Sequence, residues 1–164
     1  MANISDAYGT ACFVADTPED VVWLRDLYAG ICAKFEYYTD FSKLDYEPVL
    51  NGEKYESECS FIACGRWTFE NNISLMTEWV ISTLEEQGRR ADVERLSGSV
   101  FRISFDYTDY EPGCEVLYQA YASIWHDRDG TDYEIANYDG YDITPENLVI
   151  LGFYDSIEEA KEFM

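Results

Sequence analysis

Acidic side chains crowd the segment between residues 106 and 142, and the chemistry they offer is recognition of positive charge. A carboxylate, like a phosphate, has paired oxygens that accept two hydrogen bonds from one arginine guanidinium. Arg128 is the single base among them. The acids of the segment are Asp106, Asp109, Glu111, Glu115, Asp127, Asp129, Asp132, Glu134, Asp139 and Asp142.

Aromatic residues are interleaved with these acids, and we expect two of them, Tyr121 and Trp125, to act as packing anchors. Tyr and Trp are favoured at interfaces because one ring supplies apolar area and a polar tip. We therefore predict that the ten acids and these two aromatics bind a partner. Most of the acids are expected on turns or strand ends, where they can converge on one edge or end of a sheet.

A second acidic stretch can extend the same surface. Lys43 and Lys54 offset part of its negative charge. Its acids are Glu36, Asp40, Asp45, Glu47, Glu53, Glu56 and Glu58.

The whole chain is strongly acidic, with 33 Asp and Glu against 11 Lys and Arg and a formal net charge of -22 over 164 residues. Repulsion among these like charges destabilises the folded state, so we expect the negative electrostatic field of the protein to have a function. Nucleic acid and anionic membranes would repel the chain, so neither is an expected partner. An acidic surface can also be merely solvated, or it can be an adaptation to high salt, and the composition is compatible with both.

Strand geometry allows phosphate mimicry. Side chains on one face of a strand repeat at about 6.6 Å, and phosphates along one DNA strand advance about 3.4 Å, so alternate strand positions can match every second phosphate. In its size, its charge and its interleaving of acidic residues with tyrosines, the chain resembles the DNA-mimic inhibitors that phages and mobile elements make against restriction enzymes and CRISPR effectors. The resemblance covers general character and assigns a role to no residue.

This resemblance implies a stoichiometric inhibitor that occupies the basic groove of a nuclease or other nucleic-acid-binding protein in the host cytoplasm. The alternative is an acidic adaptor or regulatory module that binds proteins without mimicry. Neither function needs a cofactor.

The sequence contains only weak signals of a catalytic site. His126, the only histidine, can serve as a general base if Asp127 raises its pKa, but an exposed turn residue is the more ordinary interpretation. The sequence has no nucleophile elbow, phosphate loop or H-E-x-x-H motif, so we predict that the protein is not an enzyme.

The sequence signals of a metal site and of disulfide bonds are equally weak. The run from Asp127 to Glu134 looks like a partial calcium loop, but Gly130 comes at the fourth position instead of the sixth and the twelfth-position Glu is missing. The cysteines are odd in number and lack a C-x-x-C pair, so we predict reduced, mostly buried thiols and no zinc site. They are Cys12, Cys32, Cys59, Cys64 and Cys114.

The elements that must position these residues follow from hydrophobic period and capping signals. Thr17 and Asp20 form a capping box before a helix, Asn71-Asn72 is expected to cap a second helix that Gly88 stops, and Ser156 with Glu159 opens a third. The segment 36–55 is expected to be mostly loop, with at most a short edge hairpin. The predicted strands are 8–15, 56–69, 101–107, 114–125 and 133–138, and the predicted helices are 18–35, 71–88 and 156–164.

The predicted order is β-α-β-α-β-β-β-α, an α+β fold with a largely antiparallel sheet, two main helices and a short C-terminal helix, all packed on one face. Phe101, Ile103, Phe105 and Tyr107 are expected to share the buried face of the first meander strand. The length suits a single domain over 1–164. We expect a soluble cytoplasmic protein, because the longest apolar run, near 148–153, is too short to cross a bilayer and no signal-peptide pattern opens the chain.

Overall fold

The computed structural model describes residues 4–42, 47–113 and 116–163. Within these ranges the chain forms seven strands and five helices, and the α+β class and the order of the main elements are confirmed. The elements are β1 (Ile4–Ala15), α1 (Pro18–Cys32), β2 (Thr39–Ser42), β3 (Val49–Asn51), β4 (Lys54–Arg66), α2 (Phe69–Glu86), α3 (Arg90–Leu96), β5 (Phe101–Glu111), β6 (Val116–Asp127), β7 (Gly130–Gly140), α4 (Pro145–Ile150) and α5 (Ile157–Phe163).

The strands form one antiparallel sheet in the order β2-β4-β1-β5-β6-β7, with β3 paired to β4. The predicted meander of β5, β6 and β7 is confirmed. The β1 strand lies inside the sheet, between β4 and β5. The short strands β2 and β3 occupy the segment predicted to be mostly loop, and α3 and α4 are additional to the prediction.

The main core lies between one side of the sheet and helices α1 and α2. Phe13, Phe61 and Phe105 point to this side from β1, β4 and β5 and are at most 1 % exposed. The ring of Phe69 in α2 packs against Phe105 with centroids 5.6 Å apart. We call this the helix side of the sheet.

The start of α1 follows its local signals, since the Asp20 N–H donates to Thr17 Oγ1 at 3.1 Å. The predicted cap of α2 is wrong. Thr68 caps this helix, and Asn72 is buried, with its Nδ2 donating to the Cys64 carbonyl at 2.9 Å. Gly88 follows α2 with a φ of 70°, which confirms it as the stop.

The two C-terminal helices pack on the opposite side of the sheet, so the expectation that all helices share one face is wrong. Tyr110 of β5 and Leu117 of β6 form an apolar patch there, and Leu148 and Leu151 of α4 and its end pack on it. The patch recruits these helices because it would otherwise expose apolar surface to water. None of the described helices is long and apolar enough to cross a membrane.

Candidate functional site

The side of the sheet opposite α1 and α2 is open to solvent beyond the patch that α4 and α5 cover. Alternate residues of each strand point to this side, and we call its uncovered part the acidic face. Among the described strand residues, the bases that point there are Lys54, Arg66 and Arg102. The acids of the acidic face are Asp6 in β1, Asp40 in β2, Glu56 and Glu58 in β4, Asp106 in β5, Asp127 in β6, and Asp132, Glu134 and Asp139 in β7.

The strand register orders these acids into two lines. Glu58 of β4 and Glu134 of β7 lie in one row across the sheet, with Cys12, Ser104 and Ser123 between them. The two glutamates are four strand spacings apart, which is about 19 Å. The next row is bounded in the same way, by Glu56 on β4 and Asp132 on β7. We call these pairs, Glu56 with Glu58 and Asp132 with Glu134, the two acidic lines.

The side chains between the lines differ from row to row. Val14, Arg102 and Trp125 lie between Glu56 and Asp132, whereas the row of Glu58 and Glu134 has small side chains between its acids. Ser104 and Ser123 are 5 % and 6 % exposed, and their hydroxyls are 3.4 Å apart. A solvent-open hollow beside the β4 line is lined in part by Thr10 and Ser60. The two acidic lines therefore border a strip of sheet that is broader than an α-helix, whose diameter with side chains is about 10–12 Å.

The two predicted aromatics lie on the acidic face. Tyr121 is 37 % exposed and pairs across the sheet with Asp106, while half-buried Trp125 lies between Arg102 and Asp132. The structure thus brings Tyr121 and Trp125 together with Asp106, Asp127, Asp132, Glu134 and Asp139. Three members of the second acidic stretch, Asp40, Glu56 and Glu58, share the same face, as expected.

Two predicted contact residues are buried instead. Asp109 and Glu111 lie on the helix side, 0 % and 2 % exposed, so the expectation that they face a partner is wrong. The Phe69 N–H at the start of α2 donates to Asp109 Oδ2 at 2.6 Å, and burial raises the pKa of Asp109 to about 6. Glu111 accepts a hydrogen bond from the Gly113 N–H at 2.9 Å. Both carboxylates serve the fold.

The remaining predicted acids lie at other places. Asp129 is exposed at the tip of the β6–β7 hairpin, where its N–H donates to Asp127 Oδ1 at 2.8 Å. Asp142 is exposed between β7 and α4, and Glu115 lies outside the described residues. Since Asp106, Asp132 and Glu134 lie within strands, the expectation that most acids fall on turns or strand ends is wrong for them.

On the opposite side of the molecule, several bases are paired with acids. In and beside α3, Arg89 contacts Asp92 at 2.8 Å, and Arg95 contacts Asp20 at 2.7 Å. No acid of the acidic face forms a salt bridge within the described ranges. Since its nine acids outnumber its three bases, the face carries an excess of negative charge.

His126 is a core residue, which overturns the expectation of an exposed turn. It is 1 % exposed, and its Nε2 and the Tyr28 hydroxyl are hydrogen-bonded at 2.5 Å. Burial lowers the pKa of His126 to about 4, although the charge of Asp127 acts in the opposite direction. A buried neutral imidazole has no access to a substrate on the acidic face.

The described cysteines, Cys12, Cys32, Cys59 and Cys64, are all free thiols. Burial is the main cause that raises the pKa of the Cys59 thiol to about 11, which favours the unreactive protonated form. Across the described part of the chain, no three His, Cys, Asp or Glu side chains come close enough to hold a metal ion.

Sequence reasoning missed Asp6 and the small polar residues between the acidic lines. These residues come from β4, β1, β5 and β6, and they meet only because β1 lies between β4 and β5. That long-range pairing leaves no local signal. Comparison with known protein families, with curated proteins and with solved structures finds no match for this chain.

Proposed function

We propose that the protein is a stoichiometric inhibitor that presents its acidic face to the basic groove of a nucleic-acid-binding protein, such as a CRISPR or restriction nuclease. The observation that carries the proposal is the pair of acidic lines, which lie on the same face of the sheet and have no salt-bridge partner in the described chain. The face carries nine acids against three bases, whereas arginines on the opposite side are paired with acids, and solubility alone does not require this asymmetry.

The spacing of the acids supports mimicry. Asp132 and Glu134 are two residues apart on β7, as are Glu56 and Glu58 on β4, which puts the members of each line about 6.6 Å apart. That interval covers two steps of about 3.4 Å along a phosphate backbone. A nucleic-acid duplex likewise presents two lines of negative charge to a protein.

The mechanism is competition without turnover. Arginine forks that normally hold phosphates would engage carboxylates of the acidic face. Long-range attraction speeds the encounter, and added salt weakens it because the Debye length falls to about 8 Å at physiological ionic strength.

A matched pair of variants tests the proposal. The first removes the lines with Glu56→Gln, Glu58→Gln, Asp132→Asn and Glu134→Gln. The control removes the same charge from exposed acids of the helix layer with Glu36→Gln, Glu78→Gln, Glu85→Gln and Glu86→Gln. The readout is competition with a fluorescent DNA duplex for a Cas9-type nuclease and for a restriction enzyme.

We expect the wild-type protein to displace DNA from at least one of these nucleases, with a strong loss of affinity as salt rises. The acidic-line variant should lose at least tenfold in affinity, and the control less than threefold. Equal losses in both variants, or no displacement of DNA by the wild type, would refute the proposal.

One observation favours the adaptor function as a second candidate. Trp67 is 52 % exposed in a left-handed backbone conformation with a φ of 68°, and Arg66 stacks on its ring at 5.5 Å. Strained, exposed residues often mark binding sites. If an aromatic patch makes the contact, Trp67→Ala abolishes nuclease binding in the same assay while the acidic-line variant binds normally.

A further inference from the structure

The β7 strand forms a long free edge of the sheet. Within the described chain it pairs with β6 alone, over the eleven residues Gly130–Gly140. The opposite edge ends in β2, which has four residues. An edge strand carries backbone N–H and C=O groups that can pair with another chain.

The direction of these groups is visible at Tyr133. Its N–H donates to Asp132 Oδ1 at 2.8 Å and not to β6, so this donor lies at the free edge, and an added strand would replace the Asp132 side chain as its acceptor. Residues of an antiparallel strand alternate in the direction of their backbone groups, so Thr131 and Ile135 also point outward. The pairing of β6 with β7 is regular through Ala136, before the irregularity near Gln119. Three alternate residues, Thr131, Tyr133 and Ile135, therefore direct their backbone groups to the free edge, where another strand can pair with them.

The side chains of this edge define what can pair with it. Asp132 and Glu134 are exposed on the acidic face, and Tyr133 is 44 % exposed on the other side of the strand. Side chains directly opposite one another in an antiparallel pair are about 4.5–5.5 Å apart. A strand added here would meet two carboxylates on one face and an aromatic ring on the other.

We propose that β7 accepts an extended basic segment of the partner protein as an additional antiparallel strand. In this arrangement Lys or Arg residues lie opposite Asp132 and Glu134, and an apolar residue lies opposite Tyr133. The positive charge of the segment rests on the proposed function, whereas the backbone pairing rests on the free edge itself. Strand addition of this kind uses main-chain hydrogen bonds for affinity and alternate side chains for specificity.

A second copy of this chain is a poor occupant. Antiparallel pairing of two β7 strands about Tyr133 would set Asp132 of one copy opposite Glu134 of the other, and like charges in that position are destabilising. Each copy also carries a net charge of -22. The acids thus disfavour self-association and favour a basic strand.

Two synthetic peptides with equal charge test the proposal. The probe is acetyl-Lys-Val-Lys-Val-Lys-Val-Lys-amide, in which the valines lie opposite Thr131, Tyr133 and Ile135 and supply the pairing N–H groups. The control peptide replaces each Val by Pro, which keeps the lysines but removes those donors. Binding is measured at low salt, together with backbone amide exchange across β7 by NMR.

We expect the valine peptide to bind at least tenfold more tightly than the proline peptide and to slow exchange at Tyr133 and Ile135 at least tenfold. Asp132→Lys with Glu134→Lys should abolish this protection, whereas Glu56→Lys with Glu58→Lys on β4 should preserve it. Equal binding of the two peptides, or unprotected β7 amides at saturation, would overturn the proposal. A peptide-free dimer that already protects these amides would assign the edge to a second copy and overturn it as well.

The outcomes separate this inference from the proposed function. Protection of β7 by the valine peptide without displacement of DNA from any nuclease would refute inhibition and support strand addition. Displacement of DNA with the β7 amides still exchanging freely in the nuclease complex would refute strand addition and support inhibition.

Discussion

Replacement of Asp109 by asparagine should change how stability depends on pH. Asp109 is fully buried and accepts the Phe69 N–H at 2.6 Å, and burial raises its pKa to about 6 from the ordinary value of 3.8. Asparagine keeps an acceptor oxygen of nearly the same shape but cannot ionise. The substitution therefore isolates the cost of a buried negative charge.

The sign follows from proton linkage. Because the folded protein holds the Asp109 proton more tightly than the unfolded chain, this group contributes stability that is full below pH 3.8 and is lost as the pH rises through 6. Between pH 5 and pH 8, these two pKa values correspond to a loss of about 1.4 kcal/mol. The free energy of unfolding of the wild type, minus that of Asp109→Asn, should fall by this amount over the same interval.

Urea unfolding followed by tryptophan fluorescence at pH 5, 6, 7 and 8 measures this difference, and pH 5 stays above the isoelectric point of about 4.1. The control is Asp106→Asn, an exposed acid on the same strand, for which the difference should stay within about 0.5 kcal/mol at every pH. If the Asp109→Asn difference is as flat as that of the control, the carboxylate is hydrated and the buried placement is refuted.

Two further changes test the core. His126→Gln should make stability less sensitive to acid. The folded pKa of about 4 lies below the ordinary 6.5, so the free energy of unfolding of the wild type, minus that of the variant, should fall by about 2 kcal/mol from pH 8 to pH 5. A difference that does not change with pH would contradict a buried neutral imidazole. Gly9→Ala should destabilise the sheet by at least about 2 kcal/mol in urea unfolding, because the new Cβ would lie 2.8 Å from Tyr107 Cα and force β1 and β5 apart. Gly30→Ala in α1, where the Cβ meets nothing within 4 Å, is the control and should stabilise by about 0.5–1 kcal/mol; equal effects would refute the close approach.

Local signals predicted much of the fold. Thr17 is followed by Pro18 and an amphipathic stripe, and α1 begins at Pro18. Phe101, Ile103, Phe105 and Tyr107 alternate along β5, and all four are buried on the helix side. Period and capping act within a few residues, so they can be recognised without knowledge of the neighbouring strands.

The candidate site was predictable in part. Continuing the alternation of Phe105 and Tyr107 by two and four residues places Asp109 and Glu111 on the buried side, so a signal against them as contact residues was present. His126 is similar, since it follows Trp125, where the predicted strand ended two residues before the observed end of β6 at Asp127. The convergence of Glu58 and Glu134 on one row could not be predicted, because it depends on strand order, which no local pattern specifies.

The interior position of β1 has a consequence for synthesis. This strand leaves the ribosome well before β5, yet Ala11 pairs with Phe105, so one flank of β1 has no partner until translation has passed Glu111. A nascent or stalled chain would display β1 paired on one side only, with apolar residues such as Phe13 uncovered, and such species tend to aggregate. Translation speed and chaperone access should therefore matter more to the yield of this protein than its modest length implies.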